Sequence, residues 1–217
     1  VAKTDFAAKL RQLRMECDGP LAGGIDLVHL TPAPDPCLFA YQHRPELVLL
    51  CEWIERKEIR SYLEIGFYRG GLLSTLQALF QFERVAGCDE GLVQKRKKLA
   101  VSLPPAAKIC WAKSESPEYR RFRHAMGKMD LVFIDGDHSY GGVRQDYERE
   151  KRQPHRFLAF HDIKNTEKAP GVVRLWNEIG GKKRELYVPR TVLDGQMRMV
   201  STGDEMGIGI WSQTETP

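Results

Sequence analysis

Within Asp130–Tyr147, DLVFIDGDHSYGGVRQDY, an apolar run (Leu131, Val132, Phe133, Ile134) ends in two carboxylates and an imidazole: Asp135, Asp137 and His138. A second polar pair, His161-Asp162, follows another short run, Arg156–Phe160. Carboxylates at the ends of adjacent parallel strands, about 4.8 Å apart, can share one hard divalent cation whose shell water completes. A neutral imidazole three residues past Asp135 can take a proton from a substrate hydroxyl near neutral pH. A cation beside that hydroxyl lowers its pKa and orients it. The chemistry implied is deprotonation and positioning of an oxygen nucleophile, with Asp135 and His138 as catalytic candidates and Asp135 and Asp162 as metal candidates. A competing reading gives Asp137 and His138 to capping the next helix and Asp162 to its own loop. Three polar groups at two adjacent strand ends are hard to explain by capping alone.

Two further motifs can hold a ligand beside that point. LEIGFYRGG, Leu63–Gly71, runs from a strand through a Gly-rich turn into a helix, which aims backbone N–H groups at a bound molecule. The dinucleotide pattern GxGxxG is absent, since Phe67 and Tyr68 follow Gly66, and the acidic Glu64 suits a cationic cofactor group better than a pyrophosphate. Asp89 ends the next strand, where doubly wound folds meet a ribose hydroxyl pair; capping of the following helix is its alternative.

Each of these groups needs a strand end to hold it. Short runs at Ser61–Ile65, Arg84–Cys88, Lys108–Trp111, Asp130–Ile134 and Arg156–Phe160 alternate with helical stretches at Leu72–Phe82, Gly91–Ser102, Pro117–Met126, Gly142–Lys151 and Gly171–Ile179. Alternation of this kind predicts an α/β fold, a mostly parallel sheet with helices on both faces. Glu185–Val188 and Gly207–Trp211 read as a closing antiparallel pair at one edge. Upstream, Asp5–Met15 has an amphipathic pattern (Phe6, Leu10, Leu13). Cys17–Gln42, with its TPAPDP stretch, reads as a long irregular lid or connection. Pro45 opens a helix to about Lys57. The organisation expected is an N-terminal helix and cap over residues 1–44 and one catalytic domain over 45–217.

Composition excludes some classes. The 217 residues are 42% hydrophobic, enough for a full core. No apolar run reaches a membrane span of roughly 20 residues, and the N-terminus lacks the basic-then-apolar order of a signal peptide. The five cysteines have no CxxC spacing, so buried, reduced thiols in a cytoplasmic protein are expected. The net charge of +4 is mild. The basic clusters Lys95–Lys98 and Arg120-Arg121-Phe122-Arg123 read first as solvated helix faces, so nucleic acid is not the expected partner. Trp53, Trp111, Trp176 and Trp211 are expected in the core, although Trp111 stands close enough to a strand end to wall a base pocket.

Together these motifs resemble the class I S-adenosylmethionine (SAM)-dependent methyltransferases. Within them the chain is similar to the small-molecule O-methyltransferases with an IDGDHSY-type motif (methyltransferase 24-like). LEIGFYRGG matches the first motif of that group, GCDE the second, FIDGDHSYGGVRQDY the fourth and AFHD the fifth, with GVVRLWNEI after it. The resemblance implies a Rossmann-like seven-stranded sheet in order 3-2-1-4-5-7-6, its last strand antiparallel. It implies SAM over the ends of the first four strands. Glu64 and Gly66 would contact the methionine part, with Gln42 in a stretch that closes over it, Asp89 the ribose and Ser114 the border of the adenine, while Phe67, Tyr68, Gly70 and Asp135 complete the cofactor-binding set. In metal-dependent relatives Asp135 and Asp162 would bind Mg²⁺. Here His161 precedes Asp162 where such relatives often place a further oxygen ligand nearby, which weakens Mg²⁺ and leaves a softer divalent ion, with His161 as a ligand, or none. The implied activity is O-methylation of a small polar molecule such as a sugar or natural product. A nucleic-acid or protein acceptor and a non-catalytic SAM-binding subunit are the alternatives, and a homo-oligomer stays open.

Overall fold

The computed structural model describes residues 4–12, 28–30, 38–40, 42–92, 95, 101, 103–189, 191–193, 199–201 and 206–213. The helix expected over Gly91–Ser102, with most of its basic face, lies largely outside these residues, as do Cys17, Cys37 and much of the expected N-terminal cap.

Strands β3 (Ser61–Ile65), β4 (Arg84–Cys88), β5 (Lys108–Cys110), β6 (Met129–Ile134), β7 (His155–His161), β8 (Lys182–Leu186) and β11 (Ile208–Ser212) form one sheet in order β5-β4-β3-β6-β7-β11-β8. Counted over these strands alone, that is the expected 3-2-1-4-5-7-6. The β4–β5, β3–β4, β3–β6 and β6–β7 pairs are parallel, and β11 runs antiparallel to both β7 and β8. The order reverses between β3 and its two neighbours, β4 and β6, which opens a crevice at the carboxyl ends of these strands.

Side-chain alternation along the strands divides the core into two layers. Tyr62, Leu131, Phe133, Phe157 and Ala159 face one side, packed with α1 (Phe6–Gln12), α2 (Arg44–Arg56) and α3 (Gly71–Phe80). Leu63, Ile65, Val132, Ile134, Leu158 and Phe160 face the other, against α4 (Pro117–Met126), α5 (Tyr140–Glu150) and α6 (Pro170–Glu178). Phe6 and Leu10 are buried as their spacing predicts, and so are Trp53, Trp176 and Trp211, while Trp111 is 49% exposed beside Phe67. Cys51, Cys88 and Cys110 are buried free thiols.

Three features depart from the sequence reading. The segment read as irregular holds a short antiparallel pair, β1 (Val28–Leu30) with β2 (Leu38–Ala40). Another pair, β9 (Thr191–Leu193) with β10 (Met199–Ser201), precedes β11. Strands of three residues are too short to show a period. The edge strand β8 also starts at Lys182 rather than Glu185. Its first four residues are exposed, so Lys182, Lys183 and Arg184 gave no apolar signal; lysines of this kind blunt a sheet edge. No helix among the described residues is long and apolar enough to cross a membrane.

Candidate active site

Register explains how the polar groups meet. Ile134 pairs with Phe160 on the neighbouring strand, so the next residues, Asp135 and His161, come side by side. His161 follows Phe157 and Ala159 on the α2 face, and its ring lies 6.2 Å from that of Phe133. Asp162 is one residue further and bends back with φ +62°, a left-handed conformation uncommon outside glycine. The result is a compact cluster. Asp135 Oδ1 lies 3.1 Å from His138 Nε2 and 3.3 Å from His161 Nδ1. Asp162 Oδ2 lies 3.6 Å from both His138 Nδ1 and His161 Nδ1. Ligand atoms of Asp135, His161 and Asp162 all fall within 4.8 Å of one another.

The charges support one another. Burial alone would push the Asp135 carboxyl up, but His161 and His138 hold it down to about 2. Burial opposes charge on His161, yet Asp135 and Asp162 lift it to about 10. The hydrogen bond to Asp135 raises His138 as well, against burial. Once His161 gives up its proton, as metal binding requires, an oxygen–oxygen–nitrogen donor set of this size fits a borderline divalent ion, and one nitrogen donor makes it less suited to Mg²⁺.

Beside the cluster lies a cavity of about 430 Å³, within the range of small-molecule sites. Ile65, Gly66 and Tyr68 line it from the end of β3, Cys88, Asp89 and Glu90 from β4, Ala112–Glu115 from β5, and Asp135, Gly136 and Asp137 from β6; Asp146 comes from α5. Gly66 makes the close approach possible. Its φ is +87°, and a Cβ there would stand 2.2 Å from the Asp135 carbonyl oxygen. The Asp89 carboxylate accepts from Tyr68 N at 2.8 Å and Gly91 N at 2.7 Å, which ties the β3 and β4 turns into one rim.

Of the residues singled out from the sequence, Gly66, Tyr68, Asp89, Ser114 and Asp135 share this cavity. Glu64, Phe67, Gly70 and Gln42 do not line it. Glu64 is buried against the Tyr62 hydroxyl, which donates at 3.0 Å, and burial and then Asp135 push its carboxyl well up. The Gln42–Glu46 stretch instead meets the other side of the cluster: Glu46 accepts from Gly207 N at 3.0 Å, just ahead of β11, and its charge adds to those that raise His161. Asp137 accepts from Ser139 N, and Ser139 caps α5, so Asp137 shapes the turn. Arg123, read as part of a solvated face, is instead buried on Glu150 at 2.7 Å. A guanidinium amid polar neighbours carried no sequence signal for burial.

Two site residues escaped the sequence reading. Asn165 donates to Asp162 Oδ1 at 3.1 Å from a turn in which its own N–H bonds the Asp162 carbonyl. Its own Oδ1 accepts from Lys168 N at 3.0 Å, so Asn165 braces Asp162 rather than adding an oxygen ligand, and D-x-x-N turn spacing was the available signal. Asp146 is the other; it shares the inward face of α5 with Val143, Tyr147 and Glu150.

No protein-family profile matches the chain, and no curated protein does. Solved structures match in fold. The methyltransferase domain of bacterial CtHen1-CN aligns over 78% of this chain and 98% of its own, with 13% identity and a TM-score of 0.51. A human methyltransferase 10 domain containing protein aligns over 96% and 93%, with 12% identity and a TM-score of 0.51. The O-methyltransferase TomG from Streptomyces achromogenes, involved in tomaymycin synthesis and solved with SAM, aligns over 99% and 92%, with 12% identity and a TM-score of 0.50. The chain has the Rossmann-like α/β fold of these methyltransferases.

Proposed function

We propose that the protein is a SAM-dependent O-methyltransferase acting on a hydroxyl of a small polar molecule. One observation carries this reading: Asp135, which anchors the Asp135–His138–His161–Asp162 cluster, also lines a cavity built from four parallel-strand ends. SAM, when bound, supplies an electrophilic methyl on a sulfonium. The cavity volume and the Gly66 cradle suit such a ligand, with Gly66 and Tyr68 toward the methionine part, Asp89 toward the ribose and Ser114 toward the base. TomG, of the same fold, is an O-methyltransferase, which agrees with an oxygen acceptor.

The chain's own residues then divide the work. Asp135 accepts from His138 Nε2–H and so presents Nδ1 as the basic atom. The contact of Nδ1 with Asp162, at 3.6 Å, is too long to occupy it. An acceptor hydroxyl that reaches Nδ1 gives up its proton there. Asp135 and Asp162 offset the imidazolium charge that results. Asn165 holds Asp162 in place. Asp135, Asp162 and His161 would hold a divalent ion, which when bound orients the oxygen and lowers its pKa.

His138→Ala should lower turnover by about 10²–10⁴-fold, the usual contribution of a general base, while S-adenosylhomocysteine binds within about threefold of wild type. The test is methyl transfer to a panel of hydroxylated acceptors, run with Mg²⁺, Mn²⁺ or Co²⁺ and with chelator. Undiminished turnover in the variant would remove the base. Failure of the wild type to bind either SAM or its demethylated product would remove the cofactor.

A further inference from the structure

Glu46 is a buried acid that neither the cavity nor the proton transfer uses. It is 1% exposed in the first turn of α2. An acid in a first turn is ordinarily explained by the helix dipole, but one buried this deeply is costly unless its oxygens are paired. Oε2 accepts from Gly207 N at 3.0 Å. Oε1 has only long contacts, Val188 N at 3.4 Å and His43 Nδ1 at 3.6 Å, and so keeps capacity to accept.

The strip that Glu46 holds is the one against which the cluster is built. Ile208, next to Gly207, pairs with His161 across the β11–β7 ladder. The Gly207 carbonyl accepts from Ile163 N at 3.3 Å and the Met206 carbonyl from Lys164 N at 2.8 Å, so the residues that follow Asp162 are fastened to the same strip. His161 turns Nδ1 to Asp135 and Asp162. Its Nε2 is buried and has no hydrogen-bond partner among the described residues. Glu46 is an acid outside the cluster whose charge reaches this ring.

We propose that Glu46 is the outer carboxylate of the metal ligand His161, a positioning residue that sets the affinity of the cluster for a divalent ion. This rests on reading Asp135, His161 and Asp162 as the groups that hold such an ion. With Nδ1 given to the ion, the ring's remaining proton belongs on Nε2. A carboxylate that accepts it fixes the tautomer and raises the basicity of the ligating nitrogen. Through Gly207, the same carboxylate fixes where the His161-Asp162 pair stands.

Calorimetric titration of the whole chain with Co²⁺ and with Mn²⁺ tests this, on variants first shown to be folded by circular dichroism. Glu46→Gln keeps an acceptor oxygen for Gly207 N and loses the charge. It should bind Co²⁺ about 10–100-fold more weakly than wild type, the usual effect of removing a partner behind a metal ligand. Mn²⁺ leans more on the two carboxylates than on the imidazole, so its loss should be smaller. Glu46→Asp keeps the charge but withdraws it by one methylene. It should weaken Co²⁺ by at least about threefold, which keeps the test open if the first variant does not fold. Wild-type affinity for Co²⁺ in either variant overturns the role of Glu46. So do equal losses for the two ions, the mark of a general disturbance rather than one transmitted through His161. Wild type binding neither ion overturns the metal reading of the cluster itself, a separate failure.

Discussion

At single positions, backbone geometry decides more than side-chain chemistry. Gly66 and Gly141 both belong to Gly-containing motifs, yet their surroundings differ. A Cβ at Gly66 would meet the Asp135 carbonyl oxygen at 2.2 Å and Gly136 Cα at 2.5 Å, backbone atoms that cannot swing aside, and φ there is positive. At Gly141, in the exposed first turn of α5, an added Cβ meets nothing within 4 Å. Gly66→Ala should cost about 2–4 kcal/mol from strain and displacement of Asp135, and should weaken cofactor binding with it. Gly141→Ala should stabilise by about 0.5–1 kcal/mol through reduced freedom of the unfolded chain. Urea unfolding midpoints check both, and a neutral Gly66→Ala would show that the two turns can separate. The same scale limits what the sequence discloses. Asp135 and His138 were legible as a strand-end pair. That His161 rather than Asp162 stands opposite Asp135 depends on strand register, and the return of Asp162 depends on one left-handed residue, neither of which residue types reveal.

Elements are joined at the opposite end of the sheet by a single carboxylate. Asp130 in β6 accepts from the backbone N–H groups of Arg60 and Ser61 at 2.9 and 3.1 Å, ahead of and at the start of β3. It also bonds Arg156 of β7 at 3.3 Å, and its own N–H bonds Ser61 Oγ at 2.8 Å. Burial raises the Asp130 carboxyl, but Arg60 N–H, Arg156 and Ser61 together bring it below the usual aspartate value. A group whose folded pKa is lowered contributes stability that is present above its unfolded pKa, about 3.9, and is lost as pH falls through the folded value. Asp130→Asn should therefore cost about 1–3 kcal/mol at pH 7. Part of the wild type's loss of stability below about pH 4 should be absent from the variant. Parallel urea titrations between pH 7 and pH 3 measure it; curves displaced by a constant amount would deny Asp130 a role in the acid limb. Helices and parallel strands were readable from period and Gly–Pro punctuation, since each buries an apolar face. The β1–β2 and β9–β10 pairs and the basic start of β8 were not, because short or exposed strands carry little burial for sequence to encode.

Across the whole molecule, the cavity exists only when distant parts of the chain come together. Its wall draws on segments from Ile65 to Asp146, spread over four strands and a helix. The sheet order that assembles them was expected from family likeness, and the alternation of elements supported only a mostly parallel sheet. The wall itself was half legible: Gly66, Tyr68, Asp89, Ser114 and Asp135 meet there, while Asp146 was hidden in a helix whose pattern spoke only of burial. A ligand that bridges these segments has no binding surface in the unfolded chain, so its binding free energy adds to folding by linkage. S-adenosylhomocysteine at about 100 times its dissociation constant should raise the unfolding free energy by about 2.7 kcal/mol. For a chain of this size that corresponds to a melting temperature higher by about 5–11 °C. The rise should grow with the logarithm of ligand concentration, by about 1.4 kcal/mol per decade. His138→Ala should keep it, because the role proposed for His138 is toward the acceptor and not the cofactor. Gly66→Ala should reduce it, because Gly66 holds the β3 turn against the Asp135 carbonyl. Thermal unfolding of the three proteins across a ligand series reads all of these at once. An equal rise in all three would detach the cofactor site from the Gly66 turn, and no rise in wild type at millimolar ligand would sink the adenosyl reading.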